Sequence, residues 1–216
     1  DRLKVKKIHL HEGYLSSPLT HDLALLELST PVASSKANWI PWQTNIKLPL
    51  DGTEIKTAGW GSTVAGEATK ETILREAQGS ILFNPGTNRC GLWSTFDASQ
   101  WLCVGGEEKI GSCLGDGGGP VTTGSVLPVL QGVIAWGPDG DCASTRLPNV
   151  AVRISTYDDW LTQRVGNSWK KAEGITWFNH AIKNLQVGHE YIFYVTANDE
   201  LGRRSESVAV KVTIKD

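Results

Sequence analysis

Apolar and polar positions along this chain change period several times, and short alternating runs dominate. In residues 3–10, Leu3, Val5 and Ile8 are spaced by Lys4, Lys6 and Lys7, which predicts a strand with a solvated, cationic edge. Leu23-Ala24-Leu25-Leu26-Glu27-Leu28 is a short apolar run between turn residues and predicts a buried strand. Pro31 and Pro41 bracket a polar segment which, with Trp39 and Trp42, reads as a connector. From Thr53 onward, short strands broken by glycine turns predict an all-β barrel or sandwich. Ser155-Thr156-Tyr157-Asp158 has the pattern of a capping box, and Tyr157, Trp160 and Leu161 share one helical face. A single short helix is expected there.

After about Arg164 the character shifts, through the polar patch of Lys170, Lys171 and Glu173, to renewed alternation. Tyr191, Phe193, Val195 and Ala197 fall on one strand face, and Ile192, Tyr194 and Thr196 on the other. Residues 202–207 make a turn, and Val208, Val210, Val212 and Ile214 alternate again. Such an antiparallel pair is too small to be a stable sandwich alone. The expected division is therefore residues 1–164 and residues 165–216.

With 40% hydrophobic residues and a formal net charge of −2, the 216-residue chain reads as a soluble globular protein, without the basic surplus of a nucleic-acid binder. The longest apolar runs, 23–28 and 126–130, are far short of a membrane span. The chain opens at Asp1 and contains no methionine, so a processed chain, a fragment or an incomplete sequence is expected. Cys90, Cys103, Cys113 and Cys142 allow three disulfide pairings and lack the paired Cys-x-x-Cys spacing of a zinc site. His9 and His11 alternate onto one strand face without further ligands nearby, so neither a metal nor another cofactor is expected. Disulfides in an oxidising compartment are the expected use of the cysteines, which implies secretion.

Candidate chemistry concentrates in Cys113-Leu114-Gly115-Asp116-Gly117-Gly118-Gly119-Pro120. Its consecutive glycines let backbone N–H groups converge on one point beside the Asp116 carboxylate, which suits a developing negative charge. A triple glycine by itself reads only as a surface turn. Its surroundings change that reading.

Residues 1 to about 164 resemble the latter two-thirds of a trypsin-like serine protease domain. His21-Asp22-Leu23-Ala24-Leu25-Leu26 is similar to the family's Asp-Ile-Ala-Leu-Leu segment, whose aspartate orients the catalytic histidine. Ala58-Gly59-Trp60-Gly61 resembles its Gly-Trp-Gly strand end, and residues 132–137 resemble the Gly-Val-Val-Ser-Trp-Gly wall of the specificity pocket. Residues 148–155 with Trp160 and Leu161 resemble its last strand and terminal helix. The resemblance implies two antiparallel β-barrels, the first incomplete, with the site between them and a short C-terminal helix. It also implies the disulfides Cys90–Cys103 and Cys113–Cys142. Pocket positions would be Gly111, Ser112, Ala135, Trp136, Gly137 and Asn149, and Gly115 and Gly117 would supply oxyanion-hole N–H groups.

The departures decide function. Where the family has Gly-Asp-Ser-Gly-Gly-Pro, this chain has Gly115-Asp116-Gly117-Gly118-Gly119-Pro120, so Gly117 replaces the nucleophile. Acyl transfer of this kind needs a hydroxyl activated by a histidine. The family's Ala-Ala-His-Cys segment is absent, and His9, His11 and His21 do not occupy it. Asp22 is then a remnant without its histidine. The liberated N-terminus that pairs with the family's aspartate at Asp116 is missing too, leaving a carboxylate in need of another partner. Gly111 carries no acid to favour a Lys or Arg substrate, and Asn149, standing where the family often has glycine, is expected to narrow the pocket.

The last fifty residues or so resemble the second half of a fibronectin type III domain, Leu185-Gln186-Val187-Gly188-His189-Glu190-Tyr191 being similar to its tyrosine-corner motif. A cadherin-like or other immunoglobulin-like sandwich fits as well, and on either reading the sandwich is partial. The expectation is a secreted, catalytically inactive serine protease homologue that binds protein or peptide ligands, with a companion chain completing the first barrel. The alternative is a fragment of an active serine endopeptidase that has lost its serine by substitution and its histidine by truncation. The edge at 3–8 would invite pairing.

Overall fold

A computed structural model describes residues 3–32, 40–82, 90, 96–105, 111–124, 128–138, 142, 148–165, 190–195 and 208–213. The chain forms two compact units, Asp1–Gly174 and Ile175–Asp216. The first begins with β1 (Val5–Leu10), β2 (Leu15–Ser16), β3 (Leu19–Thr20) and β4 (Ala24–Leu28). β1 pairs antiparallel with β4, and β2 with β3. Strand β4 lies where the 23–28 run predicted one, but that run is not buried as expected. Only Leu23 is, whereas Ala24 and Leu26 are exposed. A strand in a two-stranded sheet is buried only where another layer covers it.

Six further strands close a barrel: β5 (Glu54–Gly59), β6 (Arg75–Ile81), β7 (Trp101–Gly105), β8 (Pro120–Thr123), β9 (Val129–Trp136) and β10 (Asn149–Arg153). Around the barrel the order is β10, β7, β6, β5, β8, β9, all neighbours antiparallel. Alternation sorts side chains between two cores. Ile55, Ile81, Leu102, Val104, Val121, Ile134 and Ala151 fill one cluster. Trp101, Cys103, Val150 and Val152, of opposite parity on β7 and β10, join Tyr157, Trp160 and Leu161 in the other. Both faces of β10 are thus buried, which explains its nearly unbroken apolar run.

The chain leaves β10 through a 3-10 turn (Ile154–Tyr157) into α1 (Asp158–Val165). Tyr157, Trp160 and Leu161 are buried together, as the helical spacing predicted. The capping box does not form, because the buried Ser155 hydroxyl has no hydrogen-bond partner among the described residues. Asp158 instead accepts from Trp42 Nε1 at 2.9 Å and from Thr162 at 3.4 Å.

Trp42 therefore corrects the connector reading: it is 93% buried and sits in the core cluster. Two backbone bonds around Leu130, from Gln43 N–H at 2.9 Å and to the Pro41 carbonyl at 2.9 Å, lay this segment along β9. The buried Arg153 fixes its continuation by donating to the carbonyls of Ile46 and Leu48 at 3.1 and 3.2 Å. Trp39 lies outside the described residues.

Disulfides join Cys90 to Cys103 and Cys113 to Cys142, with Cα separations of 5.8 and 4.9 Å. In the second unit, β11 (Glu190–Val195) pairs antiparallel with β12 (Val208–Thr213), with Tyr191 opposite Val212 and Phe193 opposite Val210. The antiparallel pair is as the alternation predicted. Residues 185–189 of the tyrosine-corner motif lie outside the described residues.

Candidate functional site

The glycine-rich turn hangs from β9 and folds back on itself. Gly118 N–H donates to the Ile134 carbonyl at 2.8 Å, and Ile134 N–H returns to the Gly119 carbonyl at 2.9 Å. Within the turn, Asp116 N–H bonds the Cys113 carbonyl at 3.0 Å and Gly119 N–H the Asp116 carbonyl at 2.8 Å. Gly115 and Gly118 take φ of +97° and +86°, the left-handed region that other residues adopt only with strain.

Asp116 is half-buried, and its carboxylate has found other partners than an ammonium group. Oδ1 accepts from Gly61 N–H at 2.8 Å and Oδ2 from Cys113 N–H at 2.8 Å. Both carboxylate oxygens are thus satisfied by backbone donors of the turn and of the β5 end. Gly61 permits the approach: a Cβ there would lie 2.5 to 2.7 Å from the Asp116 carboxylate atoms.

Gly117 behaves differently from its neighbours. A Cβ added to it would meet nothing within 4 Å, and its φ is not positive. Neither the Gly115 nor the Gly117 N–H has a hydrogen-bond partner among the described residues. The turn thus offers two free donors and empty space where a side chain could stand. Gly117→Ser is accordingly expected to change folding stability by no more than about 0.5 kcal/mol, checked by urea unfolding.

Beside the turn, Gly111, Ser112, Cys113, Asp116 and Ile134 line a cavity of about 660 Å³ that extends along β5 and β6. Ala135, Trp136, Gly137 and Asn149 do not line it. Asn149 packs beside Ser112 and Gly137. Its buried side chain donates from Nδ2 to the Ser112 carbonyl at 3.0 Å, and its Oδ1 sits where a Cβ on Gly137 would be. The Asn149 amide thus lies against both Ser112 and Gly137, with its hydrogen bond to Ser112 alone. Trp136 packs edge-on against Trp101, with ring centroids 6.2 Å apart.

Asp22 is half-buried at the start of the β4 segment and has no hydrogen bond among the described residues. Burial raises its carboxyl above the usual range. The adjacent His21 adopts φ of 49°, an uncommon conformation for a residue with a Cβ. It stacks on His11 at a centroid distance of 4.6 Å and bonds the Tyr157 hydroxyl through Nδ1 at 3.1 Å. Burial, with Asp97 and Asp22 adding to it, pushes that hydroxyl up to about 12. His9 goes elsewhere, lying 3.3 Å from Glu27, and His11, just beyond the end of β1, stacks on His21 instead.

The stacked imidazoles were not legible from the sequence, because nine intervening residues and a left-handed backbone bring them together. Burial lowers the His11 pKa, and the charges of His21 and Arg164 lower it further. The folded site resists a proton that the unfolded chain accepts at about pH 6.5. Stability is thus expected to be retained above that value and to be lost as pH falls below it. Unfolding temperatures measured between about pH 8 and pH 5 check this, and His11→Gln should flatten the slope.

The closed six-stranded barrel, the two disulfides and the pinned Gly-Asp-Gly turn define a trypsin-like serine protease fold. A family model described as Trypsin matches residues 1–161, and the chain belongs to that family. Human kallikrein-12 is 33% identical over 165 residues, covering 73% of this chain and 62% of the kallikrein. An Aedes aegypti protein named inactive CLIP domain-containing serine protease A3 is 30% identical over 173 residues, covering 74% of this chain and 35% of that protein. The chain thus spans less than two-thirds of these relatives. A solved structure of neuropsin, a serine protease expressed in the limbic system of mouse brain, superposes with a TM-score of 0.66 at 23% identity. It covers 76% of this chain and 72% of that one. No helix among the described residues is long and apolar enough to cross a membrane.

Proposed function

We infer that the chain is a catalytically inactive member of the trypsin-like family, a secreted module that acts by binding protein or peptide ligands. The observation that carries this reading is Gly117 at the nucleophile position, with empty space in place of a hydroxyl. Covalent catalysis fails at its first bond without an attacking atom. A second absence supports it: neither His11 nor His21 is held by Asp22, since they stack on each other and face Tyr157. The mosquito relative's name describes an inactive protease, so loss of activity within this family has a precedent. The two disulfides fit an oxidising, extracellular setting.

On this reading the turn keeps a binding role. Free N–H groups at Gly115 and Gly117 suit a backbone carbonyl or carboxylate of a ligand. Residues 165–216 are a partial immunoglobulin-like sandwich that adds binding surface, and a companion polypeptide completes the first barrel. The open Cβ position at Gly117 favours a second reading, in which the backbone of an active endopeptidase persists with its serine substituted.

The Gly117→Ser variant separates the two. Neither His11 nor His21 is held by Asp22 in this chain, so the added hydroxyl is expected to remain inert, and exposure to a fluorophosphonate should leave the intact mass unchanged. A stoichiometric adduct on Ser introduced at 117 would show that a base is present after all and would favour the endopeptidase reading.

A further inference from the structure

We propose that His11 and His21 form an acid-sensitive latch, which holds the turn at residues 11–14 against α1 and lets it go when His11 takes a proton. This goes beyond the binding reading and does not depend on it. Three contacts converge on the pair. Gly13 N–H donates to His11 Nδ1 at 3.1 Å, the two rings stack with centroids 4.6 Å apart, and His21 Nδ1 bonds the buried Tyr157 hydroxyl at 3.1 Å. Gly13 lies against both imidazoles, since a Cβ there would come within 2.8 Å of His21 and 3.3 Å of His11. His11 also meets Tyr157 edge-on, and its ring lies 5.1 Å from that of Trp160 on α1. Glu12 completes the hold, accepting from Trp160 Nε1 at 2.7 Å and pairing with Arg164.

The bond to Gly13 decides which ring senses acid. A backbone N–H only donates, so His11 Nδ1 is a bare acceptor and the single ring proton sits on Nε2. A proton added at Nδ1 would set N–H against N–H, so this contact survives only while His11 is neutral. The Tyr157 hydroxyl donates or accepts equally well, so its bond tolerates either charge state of His21. The groups around the pair do not offset the exclusion. Arg164 adds positive charge, and the Glu12 carboxylate is committed to Trp160 and Arg164. Tyr157, with the charges of Asp97 and Asp22 acting on it, faces His21. No carboxylate among the described residues forms an ion pair with either imidazole. Burial, then the charges of His21 and Arg164, lower the His11 pKa in the same direction.

Once the turn has opened, His11 takes a proton at its ordinary value of about 6.5. The closed turn is therefore favoured above that pH, and acid favours the open one. From about pH 7.5 to about pH 5.5 the open population should rise about tenfold. Release is local, because Leu23 is buried in the core cluster and strands β5 to β10 contain no histidine.

Amide hydrogen exchange of the full chain, read by NMR at about pH 7.5 and about pH 5.5 and corrected for the intrinsic pH dependence of exchange, tests this. Three protons report on the latch: Gly13 N–H, Tyr14 N–H, which bonds the His11 carbonyl at 3.0 Å, and the Trp160 indole N–H. Each is expected to lose about tenfold in protection at the lower pH. Ile81 and Ile134 N–H, bonded to the carbonyls of Thr53 and Gly119, should lose less than about twofold. His11→Gln should abolish the pH dependence at Gly13 and Tyr14, whatever their level of protection. His21→Asn, at a positive φ that asparagine tolerates, should lower protection but keep its fall with pH. Four results would each overturn the proposal: no loss of protection at Gly13 and Tyr14 in the unaltered chain, an equal loss at Ile81 and Ile134, a pH dependence that persists in His11→Gln, or one that vanishes in His21→Asn.

Discussion

Gly61→Ala is expected to cost about 2–5 kcal/mol, far more than an ordinary glycine-to-alanine change, because it displaces the carboxylate around which the candidate site is built. The added Cβ would lie within 2.7 Å of Cγ and both carboxylate oxygens of Asp116. Asp116 cannot simply rotate away. Its two oxygens hold Gly61 N–H and Cys113 N–H, and its own backbone closes the turn to Cys113 and Gly119. Moving it leaves two N–H donors unsatisfied and frees a turn otherwise anchored at Ile134. Urea unfolding of the variant measures the loss. In an Asp116→Ala background the same substitution should cost less than about 1 kcal/mol, because the atoms it strikes are gone. Equal costs in both backgrounds would show that Asp116 is not the obstacle.

Trp101→Ala is the second large effect, at about 3–5 kcal/mol. Trp101 is 98% buried, pairs with Val152 across β7 and β10 and meets the Trp136 ring edge-on. Truncation empties the cluster that joins the barrel to the Tyr157, Trp160 and Leu161 side chains. A protein of this size loses about 2–4 °C per kcal/mol, so the unfolding temperature should fall by roughly 6–20 °C. Trp101→Phe, which keeps most of the volume, should recover more than half of the loss.

Much of this arrangement is legible in the sequence because its constraints are local. Cys113 to Pro120 announces a tight turn, and the spacing of Tyr157, Trp160 and Leu161 announces a helix packed on one side. Alternation predicted β1, β11 and β12. What escaped is what depends on neighbours distant in sequence. The apolar run at Leu23 to Leu28 looks like a buried strand, yet nothing among the described residues covers the face that carries Leu26. Trp42 sits in a segment without period, so its burial follows from β9 and Asp158 and from no local pattern.

The site shows the same division. Gly117 is readable at once, since a single position carries the comparison with the family's Gly-Asp-Ser-Gly-Gly-Pro motif. Asp116 raised the question of a missing cation, and the answer lay fifty-five residues away in the N–H of Gly61. Asn149 was expected to narrow the pocket. It does not line the cavity beside the turn, and its amide instead donates to the Ser112 carbonyl and abuts Gly137. The three consecutive glycines also separate by cause. Gly118 needs its left-handed φ, and Gly119 has the carbonyl oxygens of Asp116 and Ala58 within 3 Å of any Cβ. Gly117 is constrained by neither.

Turnover on the unaltered chain tests the central claim most directly. The full 216-residue chain is incubated with a mixture of unstructured peptides and with a fluorophosphonate, and both products are read by intact mass. The account predicts uncleaved peptides and an unmodified chain. Cleavage that the fluorophosphonate abolishes, together with one adduct per chain, would contradict it.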